Sequence, residues 1–201
     1  MKYSLFFVAT LISTFVLAQT DSAKFALTFH VNNGLSYRTI NAENQNLQAL
    51  VVDLNEVEKV KFVQGFSVGI SRSVSKNLKI QLGMGYQEMG HRIDSLAGMT
   101  DMHQTLCYLQ FPLSLEYHFK SDRRIMPFVG LGMQYGMLIS DKLEYKVIGA
   151  NRNFEAKDAG IWNRNLISGV GHLGMAIQVY PKNVFTLAIA GQYGLNSATT
   201  T

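Results

Sequence analysis

The sequence predicts an all-β protein: an antiparallel, up-and-down transmembrane β-barrel of about eight strands, seven of them clearly visible. Three observations carry this. Seven stretches alternate apolar residues with small or polar ones, the period-two pattern of a strand whose two faces meet different surroundings. The linkers between them run long, short, long, short, long, short, as in a barrel with short turns on one side of a membrane and long loops on the other. The chain also opens with a segment built like a secretory signal.

That segment has three regions. Lys2 is the positive start, Leu5 to Leu17 is an apolar run broken only by Thr10, Ser13 and Thr14, and Val16-Leu17-Ala18 is a small-residue cleavage site before Gln19. The run is short of the roughly 20 apolar residues a helical span needs. Residues 1–18 are therefore expected to be a cleaved signal peptide, and 19–201 a single outer-membrane barrel domain. No Cys follows the run, so a lipid-modified N-terminus has no support. No later segment reads as a membrane helix. Export without a helical span, with alternating strands, predicts an outer-membrane location.

The strands follow in order. Phe25, Leu27, Phe29 and Val31 oppose Ala26, Thr28, His30 and Asn32. In the second strand Phe62, Phe66, Val68 and Ile70 oppose Gly65, Ser67, Gly69 and Ser71, with Gln64 breaking the apolar face. The short Ser75-Lys76-Asn77 turn leads to Leu78–Tyr86, apolar against Lys79, Gln81, Gly83 and Gly85. The fourth strand runs from Cys107 to Phe119. Its Pro112 has no N–H for a ladder and predicts a bulge or irregularity. Ser121-Asp122-Arg123 turns into Val129–Met137, a strand lined with Gly130, Gly132, Gln134 and Gly136. The sixth strand spans His172–Val179, and Pro181-Lys182-Asn183 turns into the seventh, Phe185–Leu195. The long linkers are about Asn32–Val60, Glu88–Gln104 and Leu138–Asn165. Leu47, Leu50, Leu54 and Val57 have helical spacing, although Leu50, Val52 and Leu54 also alternate. Leu143, Tyr145 and Val147 predict strands that continue beyond the membrane.

Composition excludes several classes. Net charge is +4 at pH 7, or +3 without Lys2, and the cations are scattered near turns. A nucleic-acid surface needs a clustered basic stripe interleaved with aromatics, so no nucleic-acid partner is expected. The single Cys107 excludes an intrachain disulfide and any cysteine-based metal motif. It shares parity with Leu109, Phe111, Leu113 and Leu115, a lipid-facing row.

The small, polar face suits the inside of a narrow barrel, which about eight strands leave just wide enough for side chains to fill. Lys79, Gln110, Glu116, His118 and Gln134 are candidates for an internal hydrogen-bonded network of structural purpose. An unpaired interior charge is costly, so Glu116 is expected to have a cationic partner, with Lys79 the first choice. Tyr37, Tyr86, Tyr117, Phe119, Tyr135, Tyr180 and Tyr193 lie near strand ends, as interfacial girdles do. No catalytic, cofactor or metal residue is assigned. Ser168 and His172 share a face but lack a third partner. His91, Asp94, Asp101 and His103 match no compact metal spacing.

Seven strands leave a parity problem, because bacterial single-chain barrels use even numbers. Three readings stay open. The eighth strand lies beyond Thr201, the favoured one, or inside a long linker, where Lys142–Ile148 is the best candidate, or a partner closes the sheet.

Particular residues resemble a known family. Phe66–Tyr86 carries Gly69, Gly83 and Gly85 around a short turn. Tyr108-Leu109-Gln110-Phe111-Pro112-Leu113 and then Pro127-Phe128-Val129-Gly130-Leu131-Gly132 follow, with Asp158-Ala159-Gly160 ahead of Gly169 and Gly171. This pattern, over Phe25–Asn196, resembles the PorT-like outer-membrane β-barrels common in Bacteroidota. The resemblance implies a barrel, a connection of some members with secretion across the outer membrane, and no catalytic residues.

The expected function is a non-enzymatic integral outer-membrane barrel with a structural, adhesive or secretion-accessory role. Its partners would be outer-membrane lipid and an extracellular or envelope protein met through the long loops. The alternatives are a membrane-embedded lipid-modifying enzyme and a soluble periplasmic barrel with its apolar face around a small ligand.

Overall fold

The computed structural model describes residues 5–17, 25–39, 58–96, 99–119, 124–148, 153–157, 162–180 and 183–196. Ten strands form one sheet. They are β1 (Leu5–Leu17), β2 (Phe25–Thr39), β3 (Glu58–Lys59), β4 (Lys61–Ser73), β5 (Leu78–Leu96), β6 (Met99–His118), β7 (Ile125–Val147), β8 (Asn153–Lys157), β9 (Asn165–Tyr180) and β10 (Asn183–Gly194). Eight of them make a ring, β1-β2-β4-β5-β6-β7-β9-β10 and back to β1, with every neighbouring pair antiparallel. β3 and β8 are short additions on β5 and β7.

The ring turns the usual distribution of residues inside out. Along β2, Phe25, Leu27, Phe29, Val31 and Leu35 are exposed, while Ala26, Thr28 and Ser36 are buried. The same alternation holds on β7, where Val129, Leu131, Met133 and Tyr135 face out and Phe128 and Gln134 face in. From Phe25 to Leu35 is about ten steps of ~3.3 Å, which at a tilt of about 40° gives an apolar band ~25 Å tall. That matches the hydrocarbon thickness such barrels cross.

The eighth place in the ring goes to Leu5–Leu17, the segment whose sequence reads as an export signal. It pairs with β10 from Phe7↔Tyr193 to Val16↔Val184 and with β2 from Leu5↔Thr39 to Leu17↔Leu27. Lys142–Ile148 is not a separate strand. It is the outer end of β7, which ends at Val147, and β8 pairs with it from Lys142↔Lys157 to Lys146↔Asn153. In register, Phe6, Val8, Ile12 and Val16 of β1 pair with Arg38, Ser36, Asn32 and Thr28 of β2.

Two expected loops are largely strand. β5 and β6 continue as a paired ribbon through Ser95↔Thr100 and Leu96↔Met99, and β7 and β8 extend it. One buried isoleucine, Ile93, stands between the charged Arg92 and Asp94, too short an alternation to mark a strand. Charged pairs hold it: Arg92 with Asp94 at 3.3 Å, Lys146 with Asp101 at 2.8 Å, Lys142 with Glu144 at 2.7 Å, and Lys59 with Asp94. The irregularity expected at Pro112 is a local lapse of the β5–β6 pairing and not a bulge. Leu82↔Leu113 and Gly85↔Gln110 keep one register on either side of the proline, although pairing lapses between them. The β6–β7 register shifts instead at Cys107/Tyr108 and Thr100/His103. Leu47, Leu50, Leu54 and Val57 lie outside the described residues.

Leu131 is 71% exposed at the middle of the apolar band. Leu131→Arg is expected to cost about 2–4 kcal/mol, the range for a cation at the bilayer midplane, and Leu131→Met to be near neutral. Reversible denaturation from vesicles measures both.

Candidate functional site

The interior is built in three layers. Near the short-turn end, Phe128, Ala176 and Ala188 form an apolar cluster with Met126 and Val184. Toward the other end, Val63, Met89, Leu106, Tyr108, Trp162 and Leu166 form a second, with Leu138 packed against it. Between them lie the charged and hydrogen-bonding groups and a cavity of ≈ 100 Å³ lined by His30, Gln81, Gln110, Glu116, Gln134 and His172 among others.

Glu116 is the centre of the middle layer. His118 Nε2 lies 3.1 Å from its Oε2 and His172 Nε2 lies 3.2 Å from its Oε1. Phe128 separates the two imidazoles, stacking on His118 at 5.1 Å and meeting His172 edge-on at 5.8 Å. His30 contacts Gln81 beside them. His172 reaches Glu116 across an entire strand. Glu116 pairs with Gly130 on β7, and Gly130 pairs with His172 on β9. A Cβ on Gly130 would collide with the His172 ring, so only glycine leaves the path open. The same device recurs once. Asn32 pairs with Gly65 and Gly65 with Gln87, and Asn32 Nδ2 donates to Gln87 Oε1 at 3.4 Å over the glycine.

All five expected interior residues are on the inner face, but they are not one network. Glu116 and His118 are joined. Lys79 sits opposite Glu116 in the β5–β6 ladder, yet the close partners of the carboxylate are the two histidines. Gln110 and Gln134 are buried, and the Nε2 of each has no hydrogen-bond partner among the described residues. His172, His30 and Gln81 were not among the five.

Other candidates separate. Ser168 accepts from Gln192 at 3.0 Å while His172 turns to Glu116, so the Ser168–His172 pair does not assemble a nucleophile. His91 points inward, 3.7 Å from Glu58 and beside Trp162, whereas Asp94 and Asp101 lie in the exposed ribbon pairs. Among the described residues no group of three His, Cys, Asp or Glu is placed to hold a metal ion. Cys107 accepts a hydrogen bond from Tyr86 at 2.8 Å.

Large apolar residues face outward around the wall, from Phe25 on β2 to Ile189 on β10, and the inner face holds the polar groups together with the two apolar clusters. Soluble monomers rarely expose apolar patches beyond a few hundred Å², so this wall belongs in lipid. It also reverses the faces that a soluble barrel with an apolar cavity would need. A family model described as an outer membrane protein beta-barrel domain matches residues 17–200. The chain belongs to that outer-membrane β-barrel family. No curated protein matches the chain significantly.

In this barrel, Gly130→Val is expected to destabilise by about 1–3 kcal/mol through overpacking. His172→Ala alone removes one partner of a buried carboxylate and is also destabilising. The double variant should lose less than the sum of the two, because one ring accounts for both penalties. Denaturation of the four proteins in one detergent gives the coupling. In the ribbon, hydrogen bonds from Lys59, Lys146 and Lys157 hold Asp94, Asp101 and Glu155 below the ordinary carboxylate values. A carboxylate with a depressed pKa stabilises the folded state above its unfolded value and loses that contribution as pH falls through the folded one. Amide protection factors in β5–β8 beyond the membrane, taken relative to the intrinsic exchange rate at each pH, are therefore expected to fall below about pH 4, with those in the lipid-embedded ring unchanged.

Proposed function

We propose that this outer-membrane barrel is a non-conducting, non-enzymatic scaffold with a structural, adhesive or secretion-accessory role. The observation that carries this is the layered interior, with a buried Glu116–His118–His172 group between two apolar clusters. Such a filling, in an eight-stranded ring with little room for a channel, supports a barrel that does not conduct. The ribbon beyond the membrane supplies the surface for an extracellular or envelope protein partner. Tyr108–Leu113 and Pro127–Gly132 support a place among PorT-like barrels of the Bacteroidota type, and with it the secretion-accessory reading.

Export through a signal peptide cleaved after Ala18 belongs to the same reading. Its support is the three-region sequence of residues 1–18 and the family match that starts only at residue 17. The exported chain then needs another strand between β2 and β10.

Two measurements test the proposal. In planar bilayers the purified barrel is expected to give no steady conductance, and stable open channels would overturn the sealed interior. Intact mass of the protein recovered from outer membranes is expected to place the N-terminus at Gln19. Retention of Leu5–Leu17 would instead make β1 a permanent part of the wall.

A further inference from the structure

The two ends of the barrel carry charge differently. In the outer ribbon the cations are answered: Lys59 by Asp94, Arg92 by Asp94 and Asp101, Lys142 by Glu144 and Glu155, Lys146 by Asp101, and Lys157 by Glu155. At the short-turn end Arg72, Lys76 and Arg124 are exposed and form no ion pair among the described residues. The linkers at this end add Lys24, Lys120, Arg123 and Lys182, outside the described residues, and two acids, Asp21 and Asp122. By sequence, Arg72 and the linkers 18–24, 74–77, 119–124 and 181–182 at this end hold seven cations against two acids, a net +5, while the whole chain carries +4. The rest of the molecule is therefore slightly acidic, and the basic character of the chain is a property of one rim.

Aromatic rings fix the level of that rim. Phe25, Tyr117 and Phe119 are exposed at the ends of their strands, with Tyr117 and Phe119 edge-to-face at 5.2 Å. The Arg72 guanidinium lies 5.1 Å over the Phe25 ring. Aromatic girdles mark the membrane–water boundary, so cations beside and just past them sit at headgroup depth. Short turns face the periplasm in outer-membrane barrels.

We propose that this rim is a docking surface for the phosphodiester headgroups of anionic phospholipids in the periplasm-facing leaflet. Arg72 and Arg124 have the forked geometry that takes two phosphate oxygens at once, and Lys76 adds a point charge between strands. The surface is matched to the lipid by sign and by depth. At the outer end every described cation except Arg164 has an acidic partner, so the attraction there is weaker. The docking holds the barrel in register with one leaflet and favours insertion with the long-linker end leading away from it.

The test compares insertion into phosphatidylcholine vesicles with insertion into vesicles that also contain phosphatidylglycerol, read by the fraction of heat-shifted protein on gels. The full chain is expected to insert about tenfold faster with the anionic lipid, from a small electrostatic gain per cation. Added salt should erase the advantage. The triple variant Arg72→Gln/Lys76→Gln/Arg124→Gln should insert normally into phosphatidylcholine and lose most of the advantage. Equal insertion of the full chain into both vesicles, or a salt-independent preference, overturns the proposal whether or not the variant folds. A variant that keeps the full advantage overturns the assignment to these three residues. Inorganic phosphate should act only as chloride of equal ionic strength does, and specific competition by it would indicate a site for free phosphate instead.

Discussion

A backbone N–H or C=O left without a partner in hydrocarbon costs several kcal/mol, and the architecture follows from avoiding that. The ring is the response: eight strands, each paired on both sides, so that no edge meets lipid. Closure fixes the rest. A ring this small has an interior that side chains must fill, and the strands turn their larger apolar residues outward, where lipid rather than packing receives them. What remains inside is polar groups and two compact apolar clusters, one around Phe128 and one around Tyr108. The balance of polar groups is therefore struck within the lumen, among Glu116, three histidines and several glutamines.

Glycine decides how that balance is met. Neighbouring strands in a sheet stand about 4.8 Å apart, so groups two strands apart are about twice that distance. A long side chain crosses only if the intervening position has no Cβ. Gly130 and Gly65 provide such crossings, one for His172 to Glu116 and one for Asn32 to Gln87. Gly90 serves a different need. Its φ of 149° lies outside the range most residues adopt, and its N–H donates to Ser36 at 3.2 Å where β4 and β5 part.

The seven alternating strands were legible because each face meets a uniform medium, lipid on one side and a narrow lumen on the other. Phe25–Val31 and Val129–Met137 read correctly residue by residue. The signal fails where the medium changes. Beyond the membrane, Arg92, Ile93 and Asp94 lie on strand β5, but one buried isoleucine between two charged residues is too little alternation to read as a strand. The partner of Glu116 was hidden for another reason. Lys79 is its neighbour across one ladder, whereas His172 is its neighbour across two, and that relation depends on the register of three strands. No local pattern marks it except a glycine opposite a glutamate. Trp162, from a linker with no periodicity, gives no sign in sequence that it fills the second apolar cluster.

The direction of β2 and β10 constrains how the wall between them is completed. Both are antiparallel to β1, so both run the same way across the membrane. Copies inserted in one orientation would present these strands to each other only in parallel. Two such walls could meet only through a parallel pair at each seam and not as a continuous antiparallel cylinder. Whatever strand stands between β2 and β10 has to descend toward the short-turn side. In the ring described, β1 is that strand: it gives β2 and β10 the antiparallel neighbour that neither could give the other.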